Sequence, residues 1–205
     1  FIDVLVVYTQ TAAAASTDIA ADIQLAVDET NMSYGHSNIT PRIRLAGTLA
    51  VDYAESGAID TDLYRLRVNG DGYLDGVQAE RDRVKADVVA LIVSDGGAYC
   101  GVASGINVSE SYAYCVVALG CATGYYSFGH EIGHLQGARH DTYVDSDTWP
   151  YAYGHGYVYP NQATHWRTVM AYNNECSALG FYCARLPYWS DPNVLYGGVA
   201  MGTLA

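Results

Sequence analysis

Three of the chain's six histidines, His130, His134 and His140, fall inside one short segment, Gly129–Asp141, which reads GHEIGHLQGARHD. No other stretch limits the local fold so tightly. On a helix, histidines four residues apart point from one face, one above the other, and can bind one metal. Gly137 follows the last helical residues and suits a left-handed C-terminal cap, a conformation that penalises any side chain. That reversal can swing His140 back beside the other two. Three converging imidazoles are the open ligand set of a catalytic zinc, which keeps a fourth position for water, whereas structural zinc sites are closed by four protein ligands. Glu131 lies next to the first histidine, where its carboxylate can reach such a water without being a ligand itself. The competing reading is three histidines placed close by chance. The presence of Glu131 and Gly137 at their positions argues against it.

Around this segment the chain alternates two periodicities. Ile2–Tyr8 (IDVLVVY) is a β-branched run of the kind that forms a buried strand. Across Ser16–Thr30 the apolar residues Ile19, Ile23 and Val27 recur every four positions, predicting an amphipathic helix with Ser16 or Thr17 as N-cap. Arg42–Tyr53 alternates and predicts a second strand. Ala58–Val68 reads as helix, Asn69–Gly76 as turn, and Val77–Lys85 as helix again. Val88–Val93 is another buried strand, and Ser111–Leu119 (SYAYCVVAL) a strand with one more polar end. Strand, helix, strand, helix, strand predicts an α/β domain with a mixed sheet and right-handed crossovers. After about residue 140, Gly, Tyr, Pro and Asn dominate without a strong period, so that stretch reads as loop-rich and held by disulfides. A chain of 205 residues fits one domain, or two tightly joined halves, and the change of character divides it into residues 1–140 and 141–205.

Composition removes several functions. Acidic residues outnumber basic ones 22 to 10, the formal net charge is −12, and Lys85 is the only lysine. Nucleic acid and anionic membrane surfaces call for clustered Lys and Arg, so neither is an expected partner. The charge suits a monomer in solution. The longest apolar runs, Val88–Val93 and Cys115–Leu119, are too short to span a bilayer. The chain begins at Phe1 without an initiator Met or a signal-like segment, so it is read as a mature form whose signal and any pro-segment are gone. Five cysteines, none in a C-x-x-C pair, together with 19 tyrosines and one lysine, suggest a secreted, extracellular protein with two disulfides and one leftover thiol. Cys176 and Cys183 have only six residues between them and are expected to form a local bridge. Sequons at Asn31, Asn38 and Asn107 matter only in a host that glycosylates.

The spacing His130-Glu131-x-x-His134-x-x-Gly137-x-x-His140 resembles the signature of the metzincin metalloproteases, which also carry a downstream Met-turn. Thr168-Val169-Met170-Ala171-Tyr172, with its methionine thirty residues after the third histidine, looks like that turn. Asp141 directly after His140 is similar to the adamalysin (reprolysin-like) branch. The run His165–Tyr172, with Arg185-Leu186-Pro187-Tyr188-Trp189-Ser190, looks most like secreted bacterial peptidyl-Asp metalloendopeptidases. The motifs cover Tyr99–Gly202; before that the resemblance rests on the order of elements. It implies a twisted mixed five-stranded sheet, an active-site helix and a small loop-rich C-terminal subdomain. It also implies one catalytic Zn2+ on His130, His134 and His140, with Glu131 as general base and Met170 as an apolar floor. Tyr172 would stand near the metal and share the developing oxyanion charge. Protein or peptide substrates are implied, with Arg185 and Arg167 bordering the pocket for the residue after the scissile bond, which would then be Asp. Alternatively both arginines pair with carboxylates or stack on Tyr and Trp, and the pocket is apolar and favours Leu or Phe. By the same resemblance Cys100 pairs with Cys121 and leaves Cys115 free, while a Cys115–Cys121 bridge is the alternative. Two departures stand out. Family members continue past the Gly202 region into a C-terminal helix, and Cys115 sits in a strand where no cysteine is expected.

His36, His155 and His165 lie outside the motif and read as structural. Asn69–Asp75 has a superficial likeness to a calcium loop but has Tyr at the fifth position and no Gly at the sixth, so it reads as a turn. Asp145 and Asp147 are candidate Ca2+ ligands without other support, since acidic loops are usually just solvated. An extended substrate would lie beside the Ser111–Leu119 strand if that is the sheet edge. The rival functions are a catalytically weak zinc-binding module or toxin on the same fold, and a zinc hydrolase acting on a different bond. Glu131 argues against the first, because metal binding alone does not need that carboxylate.

Overall fold

The computed structural model describes residues 1–204. A five-stranded sheet lies at its centre, built from β1 (Ile2–Thr9), β2 (Ile43–Val51), β3 (Val88–Val93), β4 (Gly101–Ala103) and β5 (Tyr114–Ala118) in the order β2-β1-β3-β5-β4. β1, β2, β3 and β5 run parallel, and β4 pairs antiparallel with β5. The fold class is therefore α/β with a mixed sheet. β3 and β5 are buried at every position, which explains their unbroken apolar runs.

Alternation along the strands divides the core between two faces. Val4, Val6, Ala90, Ile92, Cys115 and Val117 face one layer, together with Ile23 and Val27 of α2 (Ile19–His36) and Phe128 and Ile132 of α6 (Ser127–Leu135). Leu5, Val7, Val89, Leu91 and Val116 face the other, against α3 (Ile59–Arg67) and Val77 of α4 (Gly76–Val84). The alanine run belongs to a short α1 (Gln10–Ala15), whose N-terminus is capped by Thr9 Oγ1 accepting from Ala12 N at 2.9 Å.

Three boundaries differ from the sequence reading. The N-cap of α2 is Asp18 rather than Ser16 or Thr17; its carboxylate accepts from Ala21 N while Ser16 Oγ donates to Asp22. The same helix continues past Thr30 to His36, because Ser33 and Tyr34 are still buried there. The Ser111–Leu119 segment splits into a 3-10 turn at Glu110–Tyr112 and β5. β5 lies inside the sheet, between β3 and β4, so Ser111–Leu119 is not the edge. The edge on that side is β4, three residues long and glycine-led, too short to leave a periodicity.

The chain after residue 140 holds more order than its composition suggests. β6 (Val158–Pro160), β7 (His165–Arg167) and β8 (Ala184–Arg185) form a small sheet in that order, and β9 (Leu195–Tyr196) pairs with β10 (Val199–Ala200). Trp189 fastens this region to α2. Its backbone N donates to Ser37 Oγ at 2.7 Å, its indole Nε1 donates to Ser33 Oγ at 2.9 Å, and its ring meets Tyr34 edge-on. Asp145 and Asp147 are both engaged by Arg139, which also donates to Trp149 O, so neither is a free carboxylate. In the Asn69–Asp75 segment the Asp75 carboxylate accepts from the backbone of Gly70, Asp71 and Gly72, closing a turn. Among the described residues no helix is long and apolar enough to cross a membrane.

Cys100 is bonded to Cys121, tying the start of β4 to α5 (Leu119–Ala122). Cys176 is bonded to Cys183, closing α7 (Asn174–Ala178) onto the approach to β8. Cys115 is a buried free thiol in β5, and burial pushes its pKa well up, disfavouring the reactive thiolate. Non-reducing peptide mapping should recover both bridges, with Cys115 alkylated only after unfolding. Alkylation of Cys100 in the folded protein would contradict the arrangement.

Candidate active site

Helix α6 is buried along its whole length, an unusual placement for a segment with two histidines and a glutamate. Its glycines make the placement feasible. A Cβ on Gly129 would lie 2.9 Å from Thr30 Oγ1 of α2, and one on Gly133 would lie 2.5 Å from Trp189 Cη2 and 3.0 Å from Met170 Sδ. The helix ends in a Schellman motif: Gly137 N donates to His134 O and Ala138 N to Gly133 O, both at 2.9 Å. Gly137 adopts φ +106, which a side chain would resist, and the reversed chain returns His140 to the helix.

The three Nε2 atoms meet at 3.1 Å (His130–His134), 3.2 Å (His130–His140) and 3.0 Å (His134–His140). His130 Nδ1 donates to Val169 O and His134 Nδ1 to Ala138 O, each at 2.9 Å. With the protons placed on Nδ1, the Nε2 lone pairs point inward and face one another. Lone pairs at this range repel unless a cation lies among them. Tetrahedral zinc with Zn–N near 2.0–2.1 Å sets ligand nitrogens about 3.3 Å apart, close to the observed spacing. Burial lowers the pKa of all three, to about 4 for His140, so the rings are neutral, which is the ligating form. The group is suited to zinc, and among the described residues no other set of three His, Cys, Asp or Glu converges in this way.

Glu131 follows His130 and is 5% exposed. Burial pushes its carboxyl up to about 8 while the nearby Arg185 charge opposes the rise, and a divalent cation would oppose it further. Space for the carboxylate exists because residue 101 is glycine; a Cβ there would sit 2.6 Å from Glu131 Oε1. Met170 is buried beneath α6. Tyr172 is 37% exposed and its ring stands 4.1 Å from that of His140. Burial, then the Glu131 charge, raise its phenol pKa, so it remains a donor at neutral pH. Its backbone N donates to Asp141 Oδ2 at 2.8 Å, which joins the methionine turn to the residue after the third histidine. His155 Nδ1 donates to His140 O, His36 to Pro187 O and His165 to Asn161 O, structural contacts in each case.

A cavity of about 360 Å³ opens on one side of Glu131, and a second of about 290 Å³ runs along β4 on the other. The two arginines enter the first cavity differently. Arg167 is fully buried and uses all three nitrogens: Nε on Cys183 O, Nη1 on Ala171 O and Nη2 on Tyr125 Oη. Arg185 gives Nη1 to Tyr125 O at 3.0 Å, and its Nε is buried without a partner among the described residues. Burial, then the Arg167 charge, draw its pKa down to about 10, which leaves it protonated at neutral pH. No motif marks Tyr125, one of nineteen tyrosines, or Gly101 as part of this site.

The family described as Metallo-peptidase family M12 matches residues 1–190. A protein of Stenotrophomonas maltophilia (strain K279a) named Peptidyl-Asp metalloendopeptidase is 50% identical over 203 residues, covering 98% of this chain and 47% of that protein. One of the same name from Pseudomonas fragi is 42% identical over 168 residues, covering 82% of this chain and 85% of that protein. The chain thus spans about half the length of the Stenotrophomonas relative. A solved structure described as "Structure of a chaperone-substrate complex" superposes with a TM-score of 0.71 at 22% identity, over 98% of this chain and 31% of that one; the likeness is one of fold.

The close approach of α6 to Trp189 and Met170 is directly testable. Gly133→Ala overpacks the contact and should destabilise the protein by about 1–3 kcal/mol. That corresponds to a Tm lowered by about 2–4 °C for each kcal/mol in a chain of this size. An unchanged Tm would mean that the ring and the thioether are not held against the helix.

Proposed function

The chain belongs to metallo-peptidase family M12, and on that footing we propose that it is a secreted zinc endopeptidase cleaving peptide bonds on the amino side of Asp. The observation that carries the reading is the meeting of three Nε2 atoms within 3.2 Å with the Glu131 carboxylate beside them in an open cleft. The names of the relatives support the Asp preference, and the two disulfides fit an oxidising, extracellular setting. The chain is read as one catalytic unit, with residues 1–140 and 141–205 forming the two walls of the cleft and with protein or peptide chains as substrates.

His130, His134 and His140 would hold the metal. Zinc bound there supplies a Lewis acid that polarises the scissile carbonyl and lowers the pKa of water toward neutrality. Glu131 would accept the proton of the attacking water and deliver it to the leaving amine. Tyr172, held protonated and half exposed, would donate to the oxygen on which negative charge develops. The free side of β4 offers backbone donors and acceptors to an extended substrate, the role that the sequence pattern assigns to the Ser111–Leu119 strand. Met170 would underlie the metal as an apolar floor. The side chain after the scissile bond would meet Arg185, whose planar fork matches a carboxylate. Arg167 would contribute charge from beneath rather than a direct contact, because its nitrogens are already engaged.

Two experiments test this reading. Glu131→Gln should retain about one zinc per chain while hydrolysis falls about 10²–10⁴-fold, since the amide cannot take the proton. Zinc content and turnover are measured on the same sample, and a zinc-loaded variant with more than about a tenth of the parent turnover removes Glu131 from the role. For specificity, peptides differing only in Asp, Asn or Leu after the bond are compared, with a chelator control. The parent should prefer Asp, and Arg185→Ala should lower the Asp-to-Asn ratio of kcat/KM by at least about tenfold, the usual scale for a charge-assisted contact. Equal cleavage of Leu and Asp would leave the apolar pocket as the better account.

A further inference from the structure

Arg185 lines the cavity beside Glu131, yet among the described residues it forms no ion pair. A long side chain of this kind loses much rotamer freedom when fixed, so something other than a carboxylate must aim it. The contacts all lead to Tyr125. Its backbone carbonyl accepts from Arg185 Nη1 at 3.0 Å, and its ring lies 4.3 Å from the Arg185 guanidinium carbon. Its hydroxyl accepts from Arg167 Nη2 at 3.0 Å, and the Arg167 guanidinium carbon lies 5.5 Å from the same ring. Arg167 is in turn locked by two backbone carbonyls, those of Cys183 and Ala171.

The backbone around Tyr125 is equally fixed. Gly124 and Tyr126 both take left-handed conformations, φ 68 and φ 62, and Gly124 N donates to Glu29 Oε2 of α2 at 2.8 Å. A tyrosine in that region is uncommon and persists only where its surroundings determine it. The turn therefore delivers residue 125 to one place, immediately ahead of the helix that carries Glu131. Two guanidinium groups sharing one aromatic ring would repel each other in an apolar wall, and the electron-rich face and the phenol oxygen offset that repulsion. Burial pushes the phenol upward, but the Arg167 hydrogen bond and the two arginine charges bring its pKa below the usual range, consistent with a side chain that stabilises cations.

We propose that Tyr125 is a positioning residue for substrate specificity: its ring and carbonyl aim Arg185 at the side chain that follows the scissile bond, and its hydroxyl is anchored on Arg167. The proposal rests on the reading of this cleft as an acid-accepting peptidase site. It gives Arg167 a definite role, as the buried base on which the aiming residue is set.

The test compares the zinc-loaded chain with Tyr125→Phe and Tyr125→Leu on matched peptides bearing Asp or Asn after the bond. Loss of the hydroxyl alone should lower the Asp-to-Asn ratio of kcat/KM about three- to tenfold, the scale of one hydrogen bond. Loss of the ring as well should lower it about thirtyfold, the scale of a desolvated cation–π contact. The loss should appear mainly as a higher KM for the Asp peptide, as expected when binding rather than chemistry is weakened. Zinc content and the melting profile accompany each variant; if Tyr125→Leu does not fold, Tyr125→Phe, which keeps ring and carbonyl, decides alone. A parent that discriminates and variants that keep its ratio would overturn the role of Tyr125 and leave the pocket standing. Equal losses on both peptides would make Tyr125 ordinary packing and also overturn it. A parent without preference for Asp removes the pocket reading, and the proposal falls with it.

Discussion

Three imidazole lone pairs meeting at 3.0–3.2 Å are the constraint on which the rest of the structure depends. Neutral rings facing one another in this way repel unless a cation lies among them. Each ring is held from outside the trio: His130 by Val169 O, His134 by Ala138 O, and His140 by the Tyr172 ring and by His155, which donates to its carbonyl. A cation at the centre turns the unfavourable arrangement into a favourable one. Its binding free energy then adds to the stability of every element that shapes the trio.

Those elements lie on both sides of the cleft, and the contacts that fix the ligands also join its walls. The carbonyl that orients His130 belongs to the residue before Met170, so the methionine turn is coupled to α6 through that histidine. Asp141, next to the third histidine, accepts from Tyr172 N and ties the same turn to the end of the motif. Trp189 completes the closure by filling the space left at Gly133 and donating to two serines of α2 and its C-terminal cap. Glycine is required at 133 and 137 for different reasons. At 133 a Cβ would strike the tryptophan, and at 137 the backbone must turn left-handed. The motif is thus a packing device as much as a set of ligands.

What was legible in the sequence follows the same physics. β3 is read at its observed limits because all six of its residues are apolar and buried, and the histidine spacing with Gly137 reads as a helix followed by a reversal. Signals weaken where geometry rests on few residues or on distant partners. β4 has three residues and no alternation, so this edge of the sheet is invisible in the sequence. α2 outruns its apolar period because Ser33 and Tyr34 are buried against Trp189, 156 residues away from Ser33 in sequence. The division of labour between the arginines is beyond any motif as well. Arg185 and Arg167 pair with each other across β7 and β8 and both border the cavity, yet Arg167 is fully buried and engaged by carbonyls the sequence does not mark.

On the proposed reading, the way these charges are satisfied would let an acidic chain accept an acidic side chain. A net charge of −12 acts at long range, where counterions screen it beyond roughly 8 Å at physiological salt. Recognition is decided inside that distance. A carboxylate of the protein beside Arg185 would neutralise it and compete with the substrate, and among the described residues none forms an ion pair with either arginine. Carbonyl dipoles and an aromatic face stabilise the two cations without cancelling them, so the positive field persists in the cavity. Arg185 Nε has no hydrogen-bond partner among the described residues, and a buried donor left unpaired carries a desolvation cost. An aspartate supplies both the acceptor and the opposite charge. An asparagine supplies the acceptor alone, and a leucine supplies neither and covers the donor with hydrocarbon. On the proposed reading, the order Asp, Asn, Leu would follow from an arginine whose charge is left uncancelled, the condition that Tyr125 and the buried Arg167 are proposed to maintain.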